Sequence, residues 1–104
     1  MWPYLIVAGI TALLIREITK DWGWNQDWKK KDIARLPKVP GVYVFYSRSG
    51  KVIHVGSTGN LWDRISNHEK KAKMYSFDWK ECDSVEDAYD LEMKLQKELG
   101  YNGK

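Results

Sequence analysis

At 104 residues, with 43% hydrophobic and 30% charged side chains, the chain has room for one domain and an ordinary globular composition, which excludes collagen-like, disordered and disulfide-scaffold readings. The lone Cys82 excludes an internal disulfide partner and, without thiol neighbours, a structural zinc-thiolate site, and it points to a reducing compartment. A net charge of +3 permits a polyanionic partner without requiring one, and a core this small cannot enclose a dinucleotide, so no small-molecule cofactor is expected.

Residues 2–15, WPYLIVAGITALLI, carry no charge and predict an N-terminal apolar helix. As helix they reach about 21 Å, short of the ~30 Å hydrocarbon layer. Trp2 and Tyr4 at one end and Trp22 and Trp24 at the other stand about 27 Å apart as helix, near the spacing of two interfacial belts, with Arg16 and Lys20 placed to snorkel. Two readings stay open for residues 1–24: an anchor on the cytoplasmic face of a membrane, with the basic residues Lys29 to Lys38 on the cytoplasmic side, or a helix packed on protein. No positive n-region precedes the run and no A-x-A site follows it, so a signal peptide fits worse.

Residues 25–40 hold a lysine triplet, Pro37 and Pro40, and read as a basic, irregular or partly helical connector. The triplet is either a solvated face or a contact for phosphate or lipid headgroups.

Residues 41–104 form the folded unit. GVYVFYS (41–47) and KVIHVGS (51–57), rich in β-branched and aromatic residues and joined by Arg48-Ser49-Gly50, predict a hairpin. With a two- or four-residue loop, directly opposed residues have numbers summing to an odd value, so Tyr43 and His54 share a face. A helix follows, with Asn60 as N-cap and Asp63 at N3; Leu61, Ile65 and Ala72 mark its apolar face, with Arg64 and His68 four apart at the edge of that face. SFDWKEC (76–82) alternates and reads as a half-buried strand. Ser84 caps a last helix, with Asp87 at N3 and Gly100 as its stop. The expected fold is α+β: a small three-stranded antiparallel sheet flanked by helices, in the order β-β-α-β-α, preceded by the apolar helix.

One residue conflicts with a purely structural reading. Ala88, Leu91, Leu95 and Leu99 form the inward stripe of the last helix, and Glu92 falls on the same stripe. An unpaired buried carboxylate costs several kcal/mol, so Glu92 must pair with a cation such as Arg64 or a lysine, sit at the edge of the core, or bind a metal.

Six ordered positions across residues 41–102 resemble the GIY-YIG nuclease superfamily. Gly41-Val42-Tyr43 is similar to its first signature and His54-Val55-Gly56-Ser57 stands where the second belongs; Arg64, His68, Glu92 and Asn102 then follow in the family's order. The resemblance covers about three-fifths of the chain. It implies a metal-dependent endonuclease acting on DNA or another nucleic acid. Glu92 would be the sole protein ligand of Mg²⁺ or Mn²⁺, suited to an ion that keeps most of its waters. Arg64 would fork onto the scissile phosphate. Tyr43, His54 and His68 would share the orienting and deprotonation of water, and Asn102 would hold the site or the phosphate. Arg48, Lys51, Lys70, Lys71 and Lys73 would grip the backbone without regard to sequence.

His54 stands where the family usually has tyrosine. Imidazole accepts a proton near neutral pH, so the replacement either preserves activity or marks a nucleic-acid-binding module that has lost it. A third reading, from the residue 2–24 segment, is a membrane-tethered protein-interaction domain. The expected location is cytoplasmic in each case.

Overall fold

The computed structural model of the chain describes residues 10–99. Four antiparallel strands form its centre: β1 (Asn25–Lys29), β2 (Gly41–Tyr46), β3 (Val52–Thr58) and β4 (Ser76–Glu81), in the spatial order β1-β4-β2-β3. Among the described residues three α-helices accompany them, α1 (Ala12–Thr19), α2 (Leu61–Ser66) and α3 (Val85–Glu98). The predicted hairpin, second helix, third strand and last helix are all present, and the α+β class holds.

The sheet has four strands where three were expected. Residues 25–40, expected as a connector, contribute β1 and a 3₁₀ turn over Lys30–Arg35. Trp28 opposes Phe77 and stacks edge-on to Trp79 at 5.0 Å, so β1 is held by aromatic cross-strand contacts rather than by alternation. A bulge between Asn25 and Trp28 hides the period-2 pattern: Asp27 takes φ 59°, and its N–H donates to Asp78 Oδ1 at 2.9 Å. With β1 beside it, β4 is a central strand, and Ser76 to Trp79 are all buried instead of half-buried.

One face of the sheet carries Tyr43, Phe45, Phe77 and Trp79, closed by Leu61 and Ile65 of α2 and by Met74. The other carries Val44, Tyr46, Val52 and Val55, closed by Ile15 of α1 and Leu95 of α3. Alternation along β2 thus feeds two cores, which is why all six of its residues are buried.

In the described part of the N-terminal run, Ile10 and Thr11 are not helical. Thr11 bridges Lys51 at the edge of β3 and caps α1, accepting from Leu14 N–H, so the helix begins at Ala12. It ends at Thr19, and Trp22 and Trp24 pack against the α1–α3 core instead of marking an interfacial belt. Arg16 does not snorkel: its guanidinium grips the buried Asp78 through Nε at 3.2 Å and Nη2 at 2.9 Å. Among the described residues no helix is long and apolar enough to cross a membrane. Trp2 and Tyr4 lie outside the described residues.

The second helix stops earlier than its periodicity predicts. Asn60 Oδ1 accepts from Asp63 N–H as expected, but Asn67 closes the helix by donating Nδ2–H to Asp63 O at 2.9 Å. His68 therefore lies beyond α2 in a loop, not at i+4 from Arg64 on one helical face, and Ala72 belongs to a separate 3₁₀ turn (Lys71–Lys73).

Candidate active site at the edge strand

The hairpin register opposes Tyr43 to Gly56 and Phe45 to His54, both sums odd, so Tyr43 and His54 share a face as predicted, with ring centroids 5.7 Å apart. Gly56 makes this possible by having no side chain. A Cβ there would lie 2.6 Å from Tyr43 Oη and 3.0 Å from His54 Nε2, so the hydroxyl and the imidazole nitrogen converge on the space left open above Gly56. Gly41 is constrained likewise, since its Cβ would stand 2.5 Å from Lys80 O and 2.6 Å from Leu61 Cδ1. Both signature glycines are demanded by close approach.

The loop after α2 turns His68 inward to complete the cluster. Its ring lies 4.5 Å from His54 and 5.8 Å from Tyr43, centroid to centroid, with the side chain buried. Lys70 N–H donates to His68 Nδ1 at 3.0 Å, which puts the proton of the neutral ring on Nε2; that buried atom has no partner among the described residues. Burial lowers the pKa of both histidines, that of His54 to about 4, and the neighbouring Arg64 and Lys70 reinforce the shift. Burial thus favours the neutral form of both rings.

Arg64, on the last turn of α2, reaches the rim of this cluster. Burial raises the Tyr43 pKa, the Arg64 guanidinium beside the hydroxyl opposes the rise, and Glu92 adds to it. The Tyr43 hydroxyl thus lies within electrostatic reach of both.

Glu92 approaches from the other side of the sheet. Ser57 follows Gly56 and alternates to the α3 face, where its hydroxyl donates to Glu92 Oε1 at 2.6 Å, while Gln96 Nε2–H donates to Oε2 at 2.9 Å. Of the three alternatives, a protein cation is not the one realised: neither Arg64 nor a lysine pairs with Glu92 among the described residues, and Arg64 lies 3.7 Å from Glu69 instead. Two neutral donors offset only part of the desolvation, and burial holds the Glu92 carboxyl above its usual range. Ser57 and Gln96 are the partners that sequence reasoning missed. Their signals were available: Ser57 sits one residue past the signature glycine, and Gln96 is one helical turn beyond Glu92.

The remaining candidates are dispersed. Lys70, Lys71 and Lys73 occupy the loop past His68, with Lys71 Nζ donating to Ser66 O at 2.9 Å. Arg48 and Lys51 flank the hairpin turn, where Arg48 stacks over Tyr75 at 4.8 Å. Asn102 lies outside the described residues.

The chemistry of this edge suits one hard divalent cation. Each Glu92 oxygen accepts a single hydrogen bond and keeps a free lone pair, and no group of three His, Cys, Asp or Glu side chains that could cage a metal exists among the described residues. A lone carboxylate of this kind fits an ion that retains its waters, and does not fit zinc.

A family model described as a domain of unknown function, DUF7508, matches residues 17–98. UvrABC system protein C of Neisseria meningitidis is 46% identical over 39 residues, covering 38% of this chain and 6% of that protein. The Methanococcus maripaludis protein of the same name is 34% identical over 77 residues, covering 64% of this chain and 15% of that protein. The chain therefore spans only a small part of these relatives' length. Among solved structures, the N-terminal GIY-YIG endonuclease domain of Thermotoga maritima UvrC, bound to magnesium as its catalytic divalent cation, superposes with a TM-score of 0.53 at 21% identity, covering 69% of this chain and 90% of that domain. A point mutant of the same domain, bound to its catalytic divalent cation, gives 0.56 at 23% identity, covering 69% and 89%. With Gly41 and Gly56 set by close approach and its sheet matching that of the GIY-YIG domain in fold, the chain belongs to the DUF7508 family.

Proposed function

We propose that this domain is a metal-dependent endonuclease that hydrolyses DNA phosphodiester bonds. The observation that carries the reading is Glu92: a half-buried carboxylate, its pKa raised by desolvation, held by two neutral donors and by no cation of the described protein. A residue this costly is explained by a partner that arrives from outside. The similarity to UvrC supports a nuclease, and the magnesium of the Thermotoga domain supports the identity of the cation.

In this reading Glu92 holds Mg²⁺ or Mn²⁺, with Ser57 and Gln96 fixing the carboxylate's orientation. Held there, such an ion would supply charge neutralisation and Lewis-acid polarisation at the phosphate. Arg64, with its side chain 43% exposed and free to turn toward solvent, receives the scissile phosphate through its planar donors. Tyr43 Oη orients the attacking water above Gly56. His54 Nε2, beside that hydroxyl, and His68, which presents an Nε2–H as a donor, share the hydrogen bonding and proton traffic around that water with Tyr43. Asn102 keeps the role implied by its place in the family pattern. Arg48, Lys51, Lys70, Lys71 and Lys73 hold the DNA backbone, and residues 12–29, expected as parts of a separate N-terminal segment and connector, join residues 41–98 in one nuclease unit through α1 and β1.

The full chain is expected to nick supercoiled plasmid with Mg²⁺ or Mn²⁺, to stop with EDTA, and to lose activity about 10²-fold or more in Arg64→Ala. Undiminished cutting by that variant would refute its role. A binding module without catalysis is the second reading, favoured by His54; it predicts salt-sensitive DNA binding with no wild-type cleavage.

A further inference from the structure

The lysine triplet and Tyr75 take no part in the site above, yet the fold gathers them at one end of the sheet. β1 ends at Lys29, opposite Ser76 of β4, so the triplet emerges beside the loop that leads into β4. Lys30 Nζ donates to Ala72 O at 3.1 Å, which fastens the triplet to that loop. Tyr75, 42% exposed, has the Arg48 guanidinium 4.8 Å and Lys29 Nζ 5.7 Å from its ring centroid. Lys29, Lys30, Lys31, Met74 and Tyr75 line an open cavity of about 340 Å³. Against these cations stands little acid: Asp27 pairs with Lys29 at 2.7 Å, and among the described residues Lys31, Arg48 and Lys73 pair with no carboxylate.

Folding does not account for this cluster. Gathering like charges opposes it, and a half-exposed tyrosine forgoes the burial that would favour it. A ligand with negative charge and a flat π-face satisfies both features at once, because phosphates neutralise the cations and an unpaired base stacks on an aromatic ring or on the arginine plane above it. A lipid headgroup would use the charges and leave the ring without a role. A duplex would keep its bases stacked internally and away from Tyr75.

We propose that Tyr75, Arg48 and Lys31 form a subsite for single-stranded nucleic acid, with an unpaired base against Tyr75 and Arg48 and the flanking phosphate on Lys31. The inference rests on the nuclease reading only for its placement. Tyr46, which opposes Ser76, is three residues along β2 from Tyr43, so the subsite stands about 10 Å along the sheet from the proposed cleavage site. The domain would then favour a substrate with an unpaired flank beside the cut.

The test is fluorescence anisotropy of the full chain with labelled oligo-dT and with a mixed-sequence duplex, in EDTA so that no cleavage intervenes, over a salt series, with phosphatidylserine vesicles as a third ligand. Tyr75→Ala is expected to weaken oligo-dT binding about tenfold or more, with duplex binding and melting temperature unchanged. Tyr75→Phe is expected to restore it, and Lys31→Ala to lower the salt slope by about 1. Wild-type protein without affinity for oligo-dT, a Tyr75→Ala variant that binds it like wild type, or vesicle binding that depends on Lys31 without oligo-dT binding overturns the subsite. Plasmid cleavage with Mg²⁺, measured in parallel, separates the two proposals: tyrosine-dependent binding with no wild-type cleavage keeps the subsite and refutes the hydrolase, and cleavage with binding indifferent to Tyr75 does the reverse.

Discussion

Glu92 has two donors and no positive charge among its described neighbours, and that imbalance makes its two roles separable. Glutamine at this position keeps an acceptor for Ser57, removes the cost of desolvating a charge, and cannot hold a divalent cation as a carboxylate does. Glu92→Gln is therefore expected to lose metal-dependent cleavage while its melting temperature at pH 7 equals or exceeds that of wild type; a clear drop would mean that the carboxylate stabilises the fold. The histidines give a second prediction. Their folded pKa values lie below the unfolded one, that of His54 at about 4, so the unfolded chain takes up protons first on acidification. Their contribution to stability is complete above about pH 6.5 and is lost as the pH falls toward 4. Urea midpoints are expected to decline across that window, and His54→Phe to flatten the decline; an identical slope in the variant would exclude His54 as its source.

The hairpin and the helix that follows it set the site at the scale of elements. Gly41 and Gly56 let β2 pack under Leu61 and let Tyr43 lie across β3, and neither glycine needs a positive φ. The two differ in what a methyl group would strike: the Lys80 carbonyl is backbone in the neighbouring strand, while Tyr43 Oη ends a side chain. Gly41→Ala is expected to destabilise the domain by about 2 kcal/mol or more, read from denaturant midpoints. Gly56→Ala is expected to disturb cleavage more than stability, since the ring it displaces belongs to the site. The early stop of α2 at Asn67 shapes the same cluster: a helix continued through His68 would have carried that ring with the helical surface, whereas the loop delivers it to His54.

At the scale of the whole molecule the decisive feature is Asp78. It lies fully buried in the central strand and receives Arg16 of α1 twice, the Tyr46 hydroxyl at 2.7 Å and the Asp27 backbone N–H. One carboxylate thus ties the first helix, the bulge of β1 and the hairpin to β4. Arg16→Ala leaves that charge buried with neutral donors only and is expected to cost about 3 kcal/mol or more in urea denaturation. A loss below about 1 kcal/mol would show that α1 is a peripheral attachment. The same ion pair explains why the charge pattern around residue 16 gave a misleading account of the N-terminal segment: Arg16 faces an acid 62 positions away, where hydropathy could only offer it an interface to snorkel toward.

Local rules set much of this protein in advance. Alternation in 41–47 and 51–57 fixed the hairpin and the shared face of Tyr43 and His54, the Asn60 and Ser84 caps fixed two helix starts, and an acid on an apolar stripe marked Glu92, because each signal is carried within a few residues. Tertiary structure decided what depends on distant partners: that residues 25–29 form a fourth strand through a bulge, that Arg16 answers to Asp78 and not to a membrane surface, that Arg64 leaves Glu92 to Ser57 and Gln96, and that the lysine triplet meets Tyr75. Charges and bulges have no period, and their positions are set by the energy of burying or pairing them in the assembled chain.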